Sequence, residues 1–127
     1  MPHHHHTENG QTLVALMVFM VIATTTIAAA VTMSIANTKA TSRLELGETA
    51  LSIANTGGEN ALLRSLRDPS YTGETMTVNG GTATVTVTGS NPKVITSVGN
   101  ISTVMRTVQI AATGSGFLTV SSWKEIQ

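Results

Sequence analysis

The chain has 127 residues, with seven Lys or Arg, seven Asp or Glu and no cysteine. Its zero formal net charge and the absence of a basic cluster argue against nucleic-acid binding. The lack of cysteine excludes disulfides, thiolate metal sites and thiol nucleophiles. Once the polar head and the apolar stretch described below are set aside, roughly ninety residues remain, enough for one small domain.

The first ten residues, MPHHHHTENG, form a polar head without Lys or Arg. A secretory signal normally begins with a basic segment, which this head lacks. Four consecutive histidines, His3 to His6, are able to bind a metal ion, but a polar leader or an expression tag is the simpler interpretation. We therefore assign residues 1–10 as a leader peptide and assign no metal.

An uncharged apolar stretch from Leu13 to Ala36 organises the chain. Charged residues resume only at Lys39. At about 1.5 Å per residue, a helix of this length spans roughly 36 Å, which exceeds the roughly 30 Å hydrocarbon core of a bilayer. We predict a transmembrane helix over residues 11–36, with the lipid bilayer as its first partner.

The junction between the head and this stretch places a candidate cleavage site before the apolar run. It reads Asn9-Gly10-Gln11-Thr12-Leu13, with the small residue Gly10 next to the start of the run. In an ordinary secretory signal the small-residue cleavage site follows the apolar region instead. Cleavage between Gly10 and Gln11 would leave the hydrophobic helix at the new N-terminus.

A helical pattern continues through residues 37–68 and predicts an amphipathic extension of the same helix. Small and apolar residues recur at steps of three and four, on one stripe formed by Gly47, Ala50, Leu51, Ala54, Gly58, Ala61, Leu62 and Leu66. The adjacent Gly57 and Gly58 predict a kink or a short break, since two glycines cost roughly 2 kcal/mol relative to alanine. Asp68-Pro69 ends the helix, because proline disfavours the helical conformation in the residue before it.

The last helical turn carries the grouping that is most like a chemical site, Arg64 with Arg67 and Asp68. An anion site or a subunit contact is one interpretation of these charges. A solvated last turn, with basic side chains near the helix C-terminus, is the favoured one.

Residues 69–127 predict an antiparallel β-sheet head. Glu74 to Val78 opens the sheet, and four further strands follow between turn signals: Thr82 to Thr88, Lys93 to Val98, Ile101 to Ala112 and Phe117 to Ser122. The turn signals include Gly99-Asn100 and Gly114-Ser115-Gly116. Strict alternation places Ala83, Val85 and Val87 inward, and Arg106 lies at the rim of its strand or against the helix. The expected fold class is α+β, a long N-terminal transmembrane and amphipathic helix packed on a small antiparallel sheet.

The residue inventory argues against an enzyme. Asp68 is the only aspartate, every histidine lies in the polar head, and no second carboxylate cluster opposes Glu45, Glu48 and Glu59. A general acid/base pair or a Ser-His-Asp arrangement cannot be assembled from these residues. No glycine-rich phosphate loop is present either, so we predict a protein without catalytic activity and without a cofactor.

The N-terminal junction resembles the class III leader of type IV pilins and type II secretion pseudopilins. The matching residues are Gly10 before the cut and the run Leu13-Val14-Ala15-Leu16-Met17-Val18-Phe19 after it. A strand meander after a long helix is also similar to the architecture of a pilin head. The resemblance implies that a membrane prepilin peptidase cleaves after Gly10 and methylates the new amino group of Gln11.

The same resemblance implies a structural role in a filament. The mature helix would pack against other pilin subunits, in a homo- or heteropolymer, through Leu13, Val14, Ala15, Leu16, Met17 and Phe19. An inner-membrane assembly platform is the further implied partner. The precursor would reside in the inner membrane and the product in a cell-surface filament.

Two positions depart from the family pattern. Gln11 stands where the mature chain usually begins with an aromatic residue or methionine, and Ala15 stands where a glutamate is usual. That glutamate is thought to assist registration with the neighbouring subunit, so Ala15 favours a minor subunit over a major one.

Two other interpretations remain open at this point. Ala28-Ala29-Ala30 fits the A-x-A pattern of signal peptidase, with Leu13 to Ile22 as the apolar region, and cleavage there would release a secreted soluble β-domain beginning at Val31. Alternatively, the protein is a monomeric membrane-anchored β-domain that binds a partner. The absent basic segment and the helical pattern beyond residue 36 argue against secretion.

Overall fold

A computed structural model of the chain describes residue 1 and residues 8–127. His3 to His6 lie outside the described residues. One helix precedes the strands, in the order α1 Glu8–Arg67, β1 Gly73–Val78, β2 Gly81–Thr88, β3 Lys93–Ile101, β4 Val104–Thr113 and β5 Thr119–Ile126. This is the α+β arrangement expected from the sequence. The chain divides into two compact units, Met1–Thr41 and Ser42–Gln127.

In the first unit, α1 continues without interruption through Thr24, Thr25 and Thr26. Each of these hydroxyls donates a hydrogen bond to the carbonyl four residues back, at 3.0 Å for Thr24 and Thr25 and 2.9 Å for Thr26. This backbonding satisfies the hydroxyls within the helix, so three polar side chains are compatible with an apolar environment.

In the second unit, α1 also continues through Gly57 and Gly58 as an unbroken helix, so the break expected there is wrong. Both glycines are buried against the sheet. A Cβ at Gly57 would lie 2.5 Å from Ser97 Oγ, and one at Gly58 would lie 2.7 Å from Ile110 Cδ1. Packing against the sheet therefore offsets the low helix propensity of the pair. The helix ends at Arg67, directly before Asp68-Pro69, as expected.

The five strands form one sheet in the order β1-β2-β3-β4-β5, and every neighbouring pair is antiparallel. β2 alternates as the sequence predicts: Ala83, Val85 and Val87 are buried, and the threonines between them are exposed. The buried face of the sheet packs against residues of α1 in the second unit. The fully buried apolar side chains of this core are Ala50, Ile53, Ala54, Ala61, Ala83, Ile95, Ile110 and Ala112.

The bounds of β3, β4 and β5 differ from the expected ones, and β4 begins at Val104 rather than Ile101. β3 runs through Gly99-Asn100, which were expected to turn, and the turn lies at Ser102-Thr103 instead, where Ser102 has a φ of 54°. β5 spans Thr119–Ile126 rather than residues 117–122, so the Trp123 end is part of the sheet and pairs with Ile110 of β4. Gly114 and Gly116 do lie in a turn, between β4 and β5, whereas Gly99 lies in a strand where it approaches the backbone of α1 closely. The sequence alone does not distinguish these two uses of glycine.

One member of the expected stripe on α1 is also wrong. Leu66 is 44% exposed, whereas Ile53 and Ser65, which the stripe omitted, are buried. The buried residues of the contact face are Gly47, Ala50, Ile53, Ala54, Gly57, Gly58, Ala61 and Ser65. Leu51 and Leu62 of the expected stripe are half-buried and pack against the same core. Almost all of the buried residues are small, so the helix and the sheet approach each other closely.

Candidate functional site

The residues predicted to pack against other subunits lie on exposed turns of α1. Their side chains are between 58% and 74% exposed for the large members, Leu13, Val14, Leu16, Met17 and Phe19. Ala15 is exposed as well. The most apolar window of this helix buries none of its surface within the chain, and the helix is long and apolar enough to cross a membrane.

This segment of α1 is apolar on every side. The run from Leu16 to Ile22 contains only large hydrophobic residues, and each of them is more than half exposed. Successive residues are rotated by about 100° around a helix axis, so a run of this length covers every direction. A helix that is hydrophobic all round requires an apolar environment, either lipid or other apolar helices.

The predicted cleavage site lies in the first turn of the same helix. α1 begins at Glu8, so the Gly10–Gln11 peptide bond is among the first helical residues, whose N–H groups have no intrahelical acceptor. A Cβ placed on Gly10 would meet no atom within 4 Å. Glycine weakens a helix by about 1 kcal/mol relative to alanine. Unwinding this turn for a protease is therefore inexpensive.

No charge lies near Ala15 on the helix. Between Glu8 and Lys39, the residues of α1 are all uncharged. An alanine at position 15 can form no ion pair with the amino group of a neighbouring chain. The apolar segment thus offers a hydrophobic surface for association, but no charged side chain that could fix its alignment with a neighbouring helix.

A polar cluster joins the C-terminal turns of α1 to β1. One oxygen of Glu74, Oε1, lies 3.1 Å from Arg64 Nε and accepts hydrogen bonds from the Tyr71 hydroxyl at 3.1 Å and from Asn60 Nδ2 at 3.4 Å. The Arg64 guanidinium also lies 5.9 Å from the centre of the Tyr71 ring. Arg64 is thus engaged within the chain, whereas Arg67 is exposed. Sequence reasoning grouped Arg64 with Asp68 and missed Glu74, which comes next to it only through the turn after the helix.

Two ionisable groups of this region are perturbed. Partial burial raises the pKa of Tyr71, and the hydrogen bond to the Glu74 carboxylate raises it further. Hydrogen bonds from the Ser70 hydroxyl and then from the Ser70 backbone N–H lower the pKa of Asp68 below its ordinary value of 3.8. The Asp68 carboxylate therefore accepts hydrogen bonds from Ser70 in the turn after the helix, and it forms no ion pair with Arg64.

The last strand is tied to the helix and to its neighbour by side-chain contacts. Trp123 Nε1 donates a hydrogen bond to Asn55 Oδ1 at 3.1 Å, and Arg106 Nη1 lies 2.8 Å from Glu125 Oε1. Arg106 also lies over Gly47 of α1, where a Cβ would be 3.2 Å from its Nη2. Arg106 thus lies against the helix, one of the two positions expected for it.

Within the part of the chain that the structure describes, no three His, Cys, Asp or Glu residues lie together as a metal site requires. No protein-family model matches this chain, and no curated protein and no solved structure matches it.

Proposed function

We propose that this protein is a structural subunit of a type IV pilus or a related secretion pseudopilus. It assembles through its N-terminal hydrophobic helix after the leader is removed between Gly10 and Gln11. One observation carries the proposal: an exposed helical segment, apolar on every side and uncharged up to Lys39, begins directly after Gly10. The same helix, α1, continues to Arg67 and supplies the packing face of the sheet.

The physical basis of assembly is an exchange of one apolar environment for another. Before assembly the segment is solvated by lipid tails, which are as apolar as its own leucines and valines. Moving it into a bundle of like helices therefore changes little hydrophobic free energy, and van der Waals packing decides the association. Small residues such as Ala28-Ala29-Ala30 allow neighbouring helix backbones to approach closely.

The proposed partners follow from this role. A prepilin peptidase removes the leader and methylates Gln11, and an inner-membrane platform inserts the subunit among other pilin subunits. The product is a cell-surface filament built from the inner-membrane pool. Ala15 stands where the family usually has a glutamate that is thought to align one subunit with its neighbour. The absence of this carboxylate favours a minor subunit in a mixed filament.

Mass spectrometry of the mature N-terminus tests the proposal. The full chain is expressed in membranes that contain a prepilin peptidase, and the N-terminal peptide is sequenced. We expect a chain that begins at Gln11 with one added methyl group. Gly10→Val, which puts a branched side chain beside the scissile bond, should abolish cleavage. Ala23→Val adds similar bulk to the same helix away from the junction and should leave cleavage unchanged.

Two other results would contradict the proposal. A chain that keeps Met1 in the presence of active peptidase is a membrane-anchored β-domain, and one that begins at Val31 is a secreted domain. Correct cleavage without incorporation into filaments, in cells that assemble the other subunits, would refute the filament role while leaving the leader assignment intact.

A further inference from the structure

A pocket of about 310 Å³ lies in the second unit, away from the apolar segment of α1. The end of α1, the turn between β2 and β3 and the turn between β4 and β5 enclose it. The polar residues that line it are Ser65, Ser90, Lys93 and Ser115, and apolar walls come from Leu66 and Leu118. Such a volume is at the lower end of the range for small-ligand sites, so it suits a molecule or group of only a few heavy atoms.

The pocket contains a buried positive charge that no carboxylate pairs. Lys93 is 8% exposed, and its Nζ donates a hydrogen bond of 2.7 Å to the backbone oxygen of Pro69. The salt bridges among the described residues are Arg64 with Glu74 and Arg106 with Glu125, and neither includes Lys93. Asp68 is close enough to feel the charge of Lys93, but its bonded partner is Ser70. An ammonium group that is removed from water normally requires an anionic partner.

A second polar group in the same pocket also lacks a partner. Ser65 is 4% exposed, and no described residue forms a hydrogen bond with its Oγ. A buried hydroxyl without a partner destabilises a fold. The Ser65 Oγ is itself closed off by protein atoms, so the charged donor that the lining of the pocket offers to an anion is Lys93.

The single charge of Lys93 and the apolar side chains of Leu66 and Leu118 indicate which class of anion fits the pocket. A single lysine balances one negative charge, whereas a phosphate dianion would leave one charge uncompensated inside the pocket. The leucine side chains offer apolar contact to whatever carries the anion. We propose that this pocket binds a carboxylate on a short apolar stem, held by Lys93 Nζ. Either a free short-chain organic acid or an acidic side chain of another protein molecule has this chemistry.

Titration of the full chain in detergent micelles with butyrate tests the site. The readout is the methyl NMR signals of Leu66 and Leu118. We expect saturable shifts with butyrate, much weaker effects with butanol, which has the same stem without charge, and weaker binding of inorganic phosphate. Lys93→Met should weaken butyrate binding at least about tenfold, because a charge-assisted hydrogen bond contributes about 1.5–3 kcal/mol. The exposed Lys124→Met is the matched control and should bind as the unaltered chain does.

Ser65→Ala is a second control in the wall of the pocket. Because the Ser65 Oγ is enclosed by protein atoms, the variant should fold at least as well as the parent and bind butyrate with unchanged affinity. Shifts that butanol reproduces, tighter binding of phosphate, or equal affinity in Lys93→Met would overturn the carboxylate site itself. Thermal unfolding of Lys93→Met, followed by circular dichroism, checks that the variant is folded.

A dilution series without added acid identifies the source of the carboxylate. Concentration-dependent shifts of Leu118 that disappear in Lys93→Met would indicate an acidic side chain of a second copy. Shifts that appear only with added butyrate would indicate a free organic acid. Because the pocket does not involve the N-terminal junction, these results do not depend on where the leader is cleaved.

Discussion

At the scale of single residues, close contact between helix and sheet depends on positions that lack side chains. Gly57 lies over Ser97 and Ala83, and a Cβ on it would be 2.5 Å from the Ser97 hydroxyl and 2.9 Å from the Ala83 methyl group. Ser97 is fully buried, and its Oγ has no hydrogen-bond partner among the described residues. The close approach of α1 thus fills the core with small groups and leaves one hydroxyl unsatisfied.

Gly57→Ala should destabilise the second unit by about 1–3 kcal/mol, because overpacking outweighs the gain of about 1 kcal/mol in helix propensity. Denaturant unfolding followed by tryptophan fluorescence of Trp123 measures the change. Gly10→Ala in the same helix, where a Cβ has no neighbour within 4 Å, is the matched control and should not destabilise the protein.

Ser97→Ala should partly restore the Gly57→Ala variant, because it removes the hydroxyl closest to the new methyl group. The double variant should then be more stable than the sum of the two single effects predicts. Strict additivity would show that the methyl group is accommodated elsewhere and would contradict the packing described for Gly57.

The turn after the helix gives stability a pH dependence of known sign. The folded pKa of Asp68 is lowered by the Ser70 hydroxyl, so the folded state favours the carboxylate. This contribution is complete above the ordinary pKa of 3.8 and is lost as the pH falls through that value towards the lower folded pKa. Ser70→Ala should raise the pKa of Asp68 and reduce the acid sensitivity. NMR titration of the Asp68 carboxyl measures the pKa, and unfolding at a series of acidic pH values measures the acid sensitivity, with Thr72→Ala as a nearby control. An unchanged pKa in Ser70→Ala would exclude the hydroxyl as the cause.

At the scale of elements, the contact between α1 and β3 is made by main-chain atoms. A Cβ on Gly99 would be 2.1 Å from the Ala50 carbonyl oxygen and 2.6 Å from the Ala54 backbone nitrogen. This contact explains why β3 continues through a glycine that the sequence marks as a turn. It also explains why small residues dominate the helix face, since larger ones would separate the two backbones.

Gly99→Ala should therefore destabilise the protein more than Gly57→Ala does. The new methyl group meets backbone atoms of α1, which can move only if the whole helix shifts, whereas at Gly57 side chains can adjust. Unfolding measurements on the two variants give the comparison. Val98→Ala, one residue away on the other face of β3, is half-buried and should cost less. Equal effects of Gly99→Ala and Val98→Ala would contradict the main-chain contact.

At the scale of the whole molecule, one helix combines two kinds of surface. From Gly10 to Ala36 its side chains are uncharged and, apart from half-buried Ala23, exposed, and between residues 47 and 65 one face is buried against the sheet. The first surface needs an apolar environment that the chain itself does not provide. The second needs only the five strands that follow it. The exposed apolar surface and the face that packs on the sheet thus lie in different parts of the sequence.

Phe19→Lys should reduce the membrane-bound fraction of the protein, since a lysine inside a spanning helix is costly to insert, by about 2.5–3.5 kcal/mol at the helix centre and by less at an off-centre position such as residue 19. Leu44→Lys is the matched control, because Leu44 is 72% exposed, nearly the same as Phe19 at 74%, but lies beyond the apolar segment. Membrane flotation of both variants gives the answer. If the two lysines had equal effects, the segment from Leu13 to Ala36 would not be the membrane-inserted part.

Local pattern alone determined the features that depend on neighbours in the chain. The uncharged length of the helix, its end at Asp68-Pro69 and the alternation of β2 all follow from residue type and periodicity, because each rests on contacts within a few residues. Tertiary structure decided what lies across long sequence separations. Only the close approach of Ser97 and Ala83 explains why a glycine stands inside the helix at Gly57, and only the folded sheet brings Glu74 to Arg64 and places Lys93 beside Pro69. The role of a glycine or a charged residue in this fold depends on which residues distant in sequence it contacts. The local sequence does not contain that information.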